Sequence, residues 1–228
     1  MRVASSVEAA AWIPIRLHPF AQGVGSVIPV GFAAYARIFH PPLRLAEDGT
    51  ERPVRWKDIA AANERSIQAE MQLLGSVAEP TKWSSSGRVL WNQQPELGSL
   101  PREIAVRLAT ILAVYTQTPG SCWFAVWEGF AALRPQVRTA PVVPLPHRNL
   151  FLLQGAVEEV GSTLTDVDWH YQSPNIWWPD DRAWCVATEV DFTWSYVGGS
   201  AGCIEQLLND RELEAMTTRP DEGNAMRP

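Results

Sequence analysis

Between His170 and Gly202 the chain reads HYQSPNIWWPDDRAWCVATEVDFTWSYVGGSAG, and its most suggestive polar side chains gather there. Glu189 and Asp191 stand two apart. On one strand face their carboxylates would lie about 6 to 7 Å from each other, a spacing suited to an acid–base pair or a shared divalent ion. Glycosidase carboxylates flank a bond from opposite sides, however, whereas neighbours on one strand face point the same way, so a solvated outer face is the plainer account. His170, Asp180 and Asp181 would join the pair only if the intervening loop folded back over the strand, and Arg182 beside two aspartates suits a local surface ion pair. Gly198-Gly199-Ser200-Ala201-Gly202 has the spacing of a nucleophile elbow. In that fold the acid and the histidine follow the serine, and no histidine follows His170 here. A turn ending in an N-capping serine accounts for the same residues.

Ile176-Trp177-Trp178 lies between Pro174 and Pro179. Prolines on both sides would stiffen the segment from Gln172 to Arg182 and present its indoles at low entropic cost to a sugar, a base or a partner's apolar surface. The competing explanation is a lid that seals a sheet edge. His18, His40, His147 and His170 show no ligand spacing, and Cys122, Cys185 and Cys203 form an odd set without a CxxC pair. Neither a metal site, a cofactor nor a disulfide framework is therefore expected, and buried, reduced thiols in a cytoplasmic protein are. With a formal net charge of −6 and no long Lys/Arg run, the chain lacks a phosphate-binding footprint, so nucleic acid is not an expected partner. No uncharged apolar run approaches the length of a membrane span, and Glu8 and Pro14 interrupt what a signal peptide would need.

The elements that must position these residues can be read from periodicity. Large residues fill the even positions from Trp184 to Tyr196, which predicts one long strand with its apolar side inward and Glu189 and Asp191 on the lesser face. Cys122–Trp127 and Asn149–Leu153 predict two further strands. Phe32, Tyr35, Ala36 and Phe39 recur at three and four, predicting a short helix stopped by Pro41-Pro42. A second helix is expected from Trp56 to about Leu74, a third from Pro101 to Tyr115, and a last one after Ser200 through Ile204, Leu207 and Leu208. Trp12 to Ile15 reads as an edge strand, Arg88 to Trp91 as a strand inside a long irregular connection, and Thr217 onward as an unstructured tail.

VIPVGFAAYARIFHPP, CWFAVWEGF, LPHRNLFLLQG and QSPNIWWPDDRAWCVATEVDFTWSYVGGS together resemble a set of uncharacterised bacterial proteins sharing these blocks in this order. The IPVGFAAY and WFAVWEGF blocks are also similar to SUKH-type immunity proteins. That resemblance implies an α+β fold and a role in binding protein partners, often toxins, without catalysis.

The expected fold is a single α+β domain with a mainly antiparallel sheet packed by three to four helices, spanning 26–216, with an N-terminal arm (1–25) and a disordered tail (217–228). The expected function is non-catalytic binding of a protein partner, of the immunity or antitoxin kind. Trp177, Trp178, Asp180, Asp181 and Arg182 would supply the contact, with His170, Glu189 and Asp191 behind them. The alternative is a small-molecule hydrolase or other enzyme with His170, Asp181, Glu189 and Asp191 converging on one pocket. Oligomeric state is not legible from the sequence.

Overall fold

The computed structural model describes residues 1–74 and 90–223. The elements run β1 (Arg2–Val3), α1 (Trp12–Ile15), β2 (Ala34–Phe39), β3 (Leu43–Leu45), β4 (Glu51–Pro53), α2 (Trp56–Ala62) and α3 (Arg102–Leu112). They continue with β5 (Cys122–Trp127), β6 (Val142–Leu145), β7 (Arg148–Gly155), β8 (Ile176–Pro179), β9 (Cys185–Ala187), β10 (Trp194–Gly199), α4 (Ala201–Asn209) and β11 (Ala215–Thr218). A single sheet in the order β1-β7-β5-β8-β9-β10-β2-β11 forms the spine, every pairing is antiparallel, and β6 shares the outer side of β7 with β1. The chain is thus one α+β domain with a mainly antiparallel sheet.

Both faces of the sheet are covered, and successive strand residues serve opposite cores. On one face α3 and α4 bring Leu108, Leu112, Ile204 and Leu207 onto Phe124, Trp177, Trp184 and Val197. On the other, α1 and α2 bring Trp12, Ile13, Trp56 and Ile59 onto Trp178, Cys185, Trp194 and Tyr196. Each fully buried tryptophan contributes several kcal/mol, since truncating such a side chain to Ala typically costs about 3 to 5 kcal/mol.

Several sequence expectations are corrected, each for a local reason. The segment read as a first helix is β2: Tyr35 and Phe39 enter one core and Ala36 and Ile38 the other, and burial on both faces imitates a helical stripe. The long strand read from Trp184 is a hairpin, β9 and β10, with Val186 opposite Val197 and a connection at 188–193. The reversal sends Trp184 and Val186 to one face and Phe192, Trp194 and Tyr196 to the other. α2 stops far short of Leu74, because Glu64 takes a positive φ of 57°, and Arg65 N donates to Ala60 O while Glu64 N donates to Ala61 O. That is a Schellman ending without its usual glycine, hence without its usual sequence mark. Trp12 to Ile15 is one helical turn rather than an edge strand, and Pro14 is accommodated because a first-turn N–H has no intrahelical acceptor.

Other expectations coincide with the structure. Cys122–Trp127 is β5, the third helix is α3 followed by a 3₁₀ turn to Tyr115, and Ser200 caps α4 by accepting a hydrogen bond from Cys203 N at 3.2 Å. The unstructured tail expected from Thr217 is corrected: Thr217 and Thr218 belong to β11, paired with Ala36 and Tyr35, because the strand completes the edge beside β2. The first half of the strand expected at Arg88 to Trp91 lies outside the described residues, and Leu90 and Trp91 are not in a strand.

Candidate functional site

The residues singled out by sequence fall into four separate places. Trp177 and Trp178 form the middle of β8, between β5 and β9, and are 0% and 1% exposed. They are therefore core side chains on opposite faces and offer no contact surface. Trp177 packs edge-on against Trp184 at 5.2 Å, and Trp178 edge-on against Trp12 at 6.0 Å. The flanking prolines end a strand here; they do not stiffen an exposed loop.

Asp180, Asp181 and Arg182 make the turn after β8. Asp180 Oδ1 accepts from Trp123 Nε1 at 2.9 Å. Asp181 accepts from Thr116 Oγ1 at 2.8 Å and from Gln117 N at 2.7 Å, fastening the loop that follows α3 to the sheet. Burial pushes the Asp181 carboxyl up, but the hydrogen bonds from Gln117, Thr116, Ala183 and Thr118 outweigh it and hold it below the usual carboxylate range. Arg182 stands over the Trp12 ring at 5.6 Å. Glu189 and Asp191 sit in the β9–β10 connection and share one cation, Arg148, whose Nη2 lies 2.8 Å from Glu189 Oε1 and 3.3 Å from Asp191 Oδ2. His170 Nδ1 meets Glu96 Oε1 at 3.1 Å. His170, Asp181 and the Glu189–Asp191 pair thus have separate partners on separate elements, and the pocket that would unite them is not formed.

Buried polar residues that sequence reading passed over organise a different region. Asn175 Oδ1 accepts from Trp127 N at 2.8 Å, while its Nδ2 donates to Gly98 O at 3.2 Å and to Thr188 O at 3.1 Å. Ser173 Oγ accepts from Leu100 N at 2.8 Å, and Ser99 Oγ accepts from Ser173 N at 3.1 Å and donates to Tyr171 O at 3.0 Å. Together these bonds clamp the loop before α3 against the start of β8. Gly98 is required at the clamp: its φ is 71°, and a Cβ there would meet Val190 O at 2.5 Å.

The clamped loop forms one wall of a cleft of about 740 Å³. β4 and the N-terminal turn of α3 border it, with the 211–214 segment and the Trp169–Tyr171 loop closing the sides. Trp169 stands at its rim 87% exposed, the most exposed large apolar side chain among the described residues, and Leu97, 59% exposed, follows Glu96 on the adjoining loop. The His170–Glu96 contact joins the two loops. No protein family, curated protein sequence or solved structure matches this chain. The likeness to SUKH-type immunity proteins thus rests on its two short blocks, the first of which reaches β2 only with Ala34 and Tyr35.

Ionisable groups line the cleft unevenly. Among the described lining residues, Glu51, Glu96, Glu103, Glu212 and Glu214 face Arg55, Arg102 and Arg107. Arg107 is already bound by Asp210, whose carboxyl this contact holds below its ordinary range. Arg102 Nε donates to Gly161 O at 2.8 Å, and Arg55 donates to Arg211 O. Glu214 is fixed by Trp56 N and Lys57 N at 2.7 and 2.8 Å, and burial pushes its carboxyl up. The region went unnoticed in the sequence because its wall residues come from five separated segments. Trp169, an indole set among Asp166, Asp168 and His170, was not singled out in the sequence.

The cysteines are buried and unpaired. Burial pushes the Cys122 and Cys203 thiols up to about 12 and Cys185 higher still, which keeps them as poorly nucleophilic thiols. Among the described residues no group of three or more His, Cys, Asp or Glu side chains is placed to hold a metal ion.

Proposed function

We propose that this chain is a non-catalytic binding protein that recognises a polypeptide partner, and that its recognition surface is the cleft before α3, with Trp169 as the anchor. The observation carrying the reading is an indole 87% exposed at the mouth of a concave, mixed polar and apolar surface. An exposed tryptophan leaves much of its apolar area in water, and tryptophan is enriched among the residues that dominate protein–protein affinity. The loop beneath it is pinned by buried hydrogen bonds, so little ordering entropy would be lost on binding. An immunity-like or antitoxin-like role is one use of such a surface. This reading keeps the partner-binding role expected from the sequence and moves it from the buried β8 tryptophans to Trp169.

The test is affinity capture from the cells that make the protein, with three baits: the natural chain, Trp169→Ala and Val114→Ser. Val114 is 75% exposed and lies outside the cleft. A polypeptide retained by the natural chain and by Val114→Ser but lost from Trp169→Ala is the expected result. Equal retention by all three baits would place the contact elsewhere and overturn the assignment.

A further inference from the structure

We infer that the partner segment held by the cleft is cationic: a lysine- or arginine-bearing stretch of polypeptide with one positive side chain laid on the Trp169 indole. This rests on the cleft being the recognition surface and adds the chemistry of what it recognises. Five carboxylates line the cleft against three guanidinium groups; Glu96 meets His170, Glu212 lies near Arg107 and Glu214 accepts from Trp56 N and Lys57 N, which leaves two carboxylates in excess. Arg107 is held by Asp210, with Glu212 also 3.6 Å away, and Arg102 and Arg55 donate to the carbonyls of Gly161 and Arg211. Glu51 and Glu103, both exposed, have no ion-pair partner among the described residues. The field left over in the cleft is negative, and concave low-dielectric walls concentrate it. The chain's formal net charge of −6 acts in the same direction at longer range.

The rim supplies a complementary element. Trp169 exposes a π face to solvent, and His170 meets it edge-on, with ring centroids 6.0 Å apart at 65°. A guanidinium or ammonium group over that face would gain from the ring quadrupole while its neighbours along the partner chain faced the carboxylates. The protein already packs arginines on its own indoles in this manner. Arg37 stands 3.9 Å from the Trp194 ring, and Arg16 and Arg182 each stand 5.6 Å from Trp12.

The experiment measures anisotropy of two fluorescein-labelled octapeptides, alternating Gly-Arg and alternating Gly-Glu, titrated with the full chain at low and physiological salt. The Gly-Arg peptide is expected to bind, more weakly as salt rises, and the Gly-Glu peptide is not. Trp169→Ala and the double variant Glu51→Gln/Glu103→Gln should each weaken Gly-Arg binding about five- to tenfold. The double variant Glu47→Gln/Glu64→Gln, which removes the same charge outside the cleft, should leave binding within twofold. Equal weakening by both double variants would mean diffuse attraction to an acidic protein and would overturn the inference. So would tighter binding of the Gly-Glu peptide, or no binding of the Gly-Arg peptide. None of those results would restore a partner to Trp169→Ala in the capture experiment, so the two readings fail separately.

Discussion

Replacing Asn175 tests the buried clamp that shapes the cleft. Its side chain makes three hydrogen bonds, to Trp127 N, Gly98 O and Thr188 O, and is 3% exposed. In Asn175→Ala the Trp127 N–H and the Thr188 carbonyl each lose this buried partner, while Gly98 O keeps a long bond of 3.4 Å from Gln172 Nε2. A buried group left unsatisfied costs about 1 to 3 kcal/mol, so the variant should lose roughly 3 kcal/mol of unfolding free energy. Asn175→Asp should lose more, because the carboxylate still accepts from Trp127 N but turns charged oxygen toward two carbonyl oxygens. Urea unfolding followed by far-UV circular dichroism would give both values, and amide hydrogen exchange would show Trp127 N–H opening earlier than its strand neighbours. A loss below about 0.5 kcal/mol in Asn175→Ala, or an aspartate variant as stable as the alanine one, would refute the clamp.

Further outcomes follow from the same geometry. Trp178→Ala should destabilise the fold by about 3 to 5 kcal/mol, whereas Trp169→Ala should shift the urea midpoint hardly at all, which separates core from surface indole in one pair of titrations. Gly98→Ala should cost about 2 kcal/mol or more, since φ 71° and the contact with Val190 O both oppose a Cβ, and differential scanning calorimetry would register the drop. His40 is fully buried, with Nε2 2.9 Å from Ser195 Oγ, and burial lowers its pKa to about 3, with the nearby Arg37 charge acting in the same direction. The unfolded chain would take up this proton near pH 6.5 and the folded one only near pH 3. Stability should therefore fall as pH drops through that window, by up to about 1.4 kcal/mol per pH unit from this group. His40→Gln should flatten that slope in urea titrations between pH 4 and 7.

The sheet was legible where one signal dominated. Cys122–Trp127 is a short, wholly apolar run with three aromatic residues, soon ended by Gly129, and Ser200 precedes an amphipathic run, so β5 and α4 were read with their ends nearly in place. What misled was burial on both faces. In β2 the apolar residues Tyr35, Ala36, Ile38 and Phe39 serve two cores, and their spacing passes for a helix. The β9–β10 connection holds only Glu189 and Asp191 as charged residues, with Phe192 inside it, so the alternation runs through a turn that lacks Asn-Gly or Asp-Gly. Glu64 ends α2 in a conformation usually given to glycine.

The site was less legible than the fold. Charged residues near tryptophans drew attention to 177–191, yet Asp180, Asp181, Glu189 and Asp191 are occupied by Trp123, Thr116, Gln117 and Arg148, contacts that no spacing rule supplies. The cleft depends on Gly98, Ser99, Ser173 and Asn175 meeting across more than seventy residues of chain.

The most direct test of the cleft as recognition surface is amide hydrogen exchange on the full chain, free and saturated with the captured polypeptide. Protection gained at 92–103 and 167–171, with β8 and the 180–191 turns unchanged, is the predicted footprint. Protection confined to the opposite sheet face or to the 180–191 turns, with Trp169 and its loop exchanging as in the free protein, would contradict it.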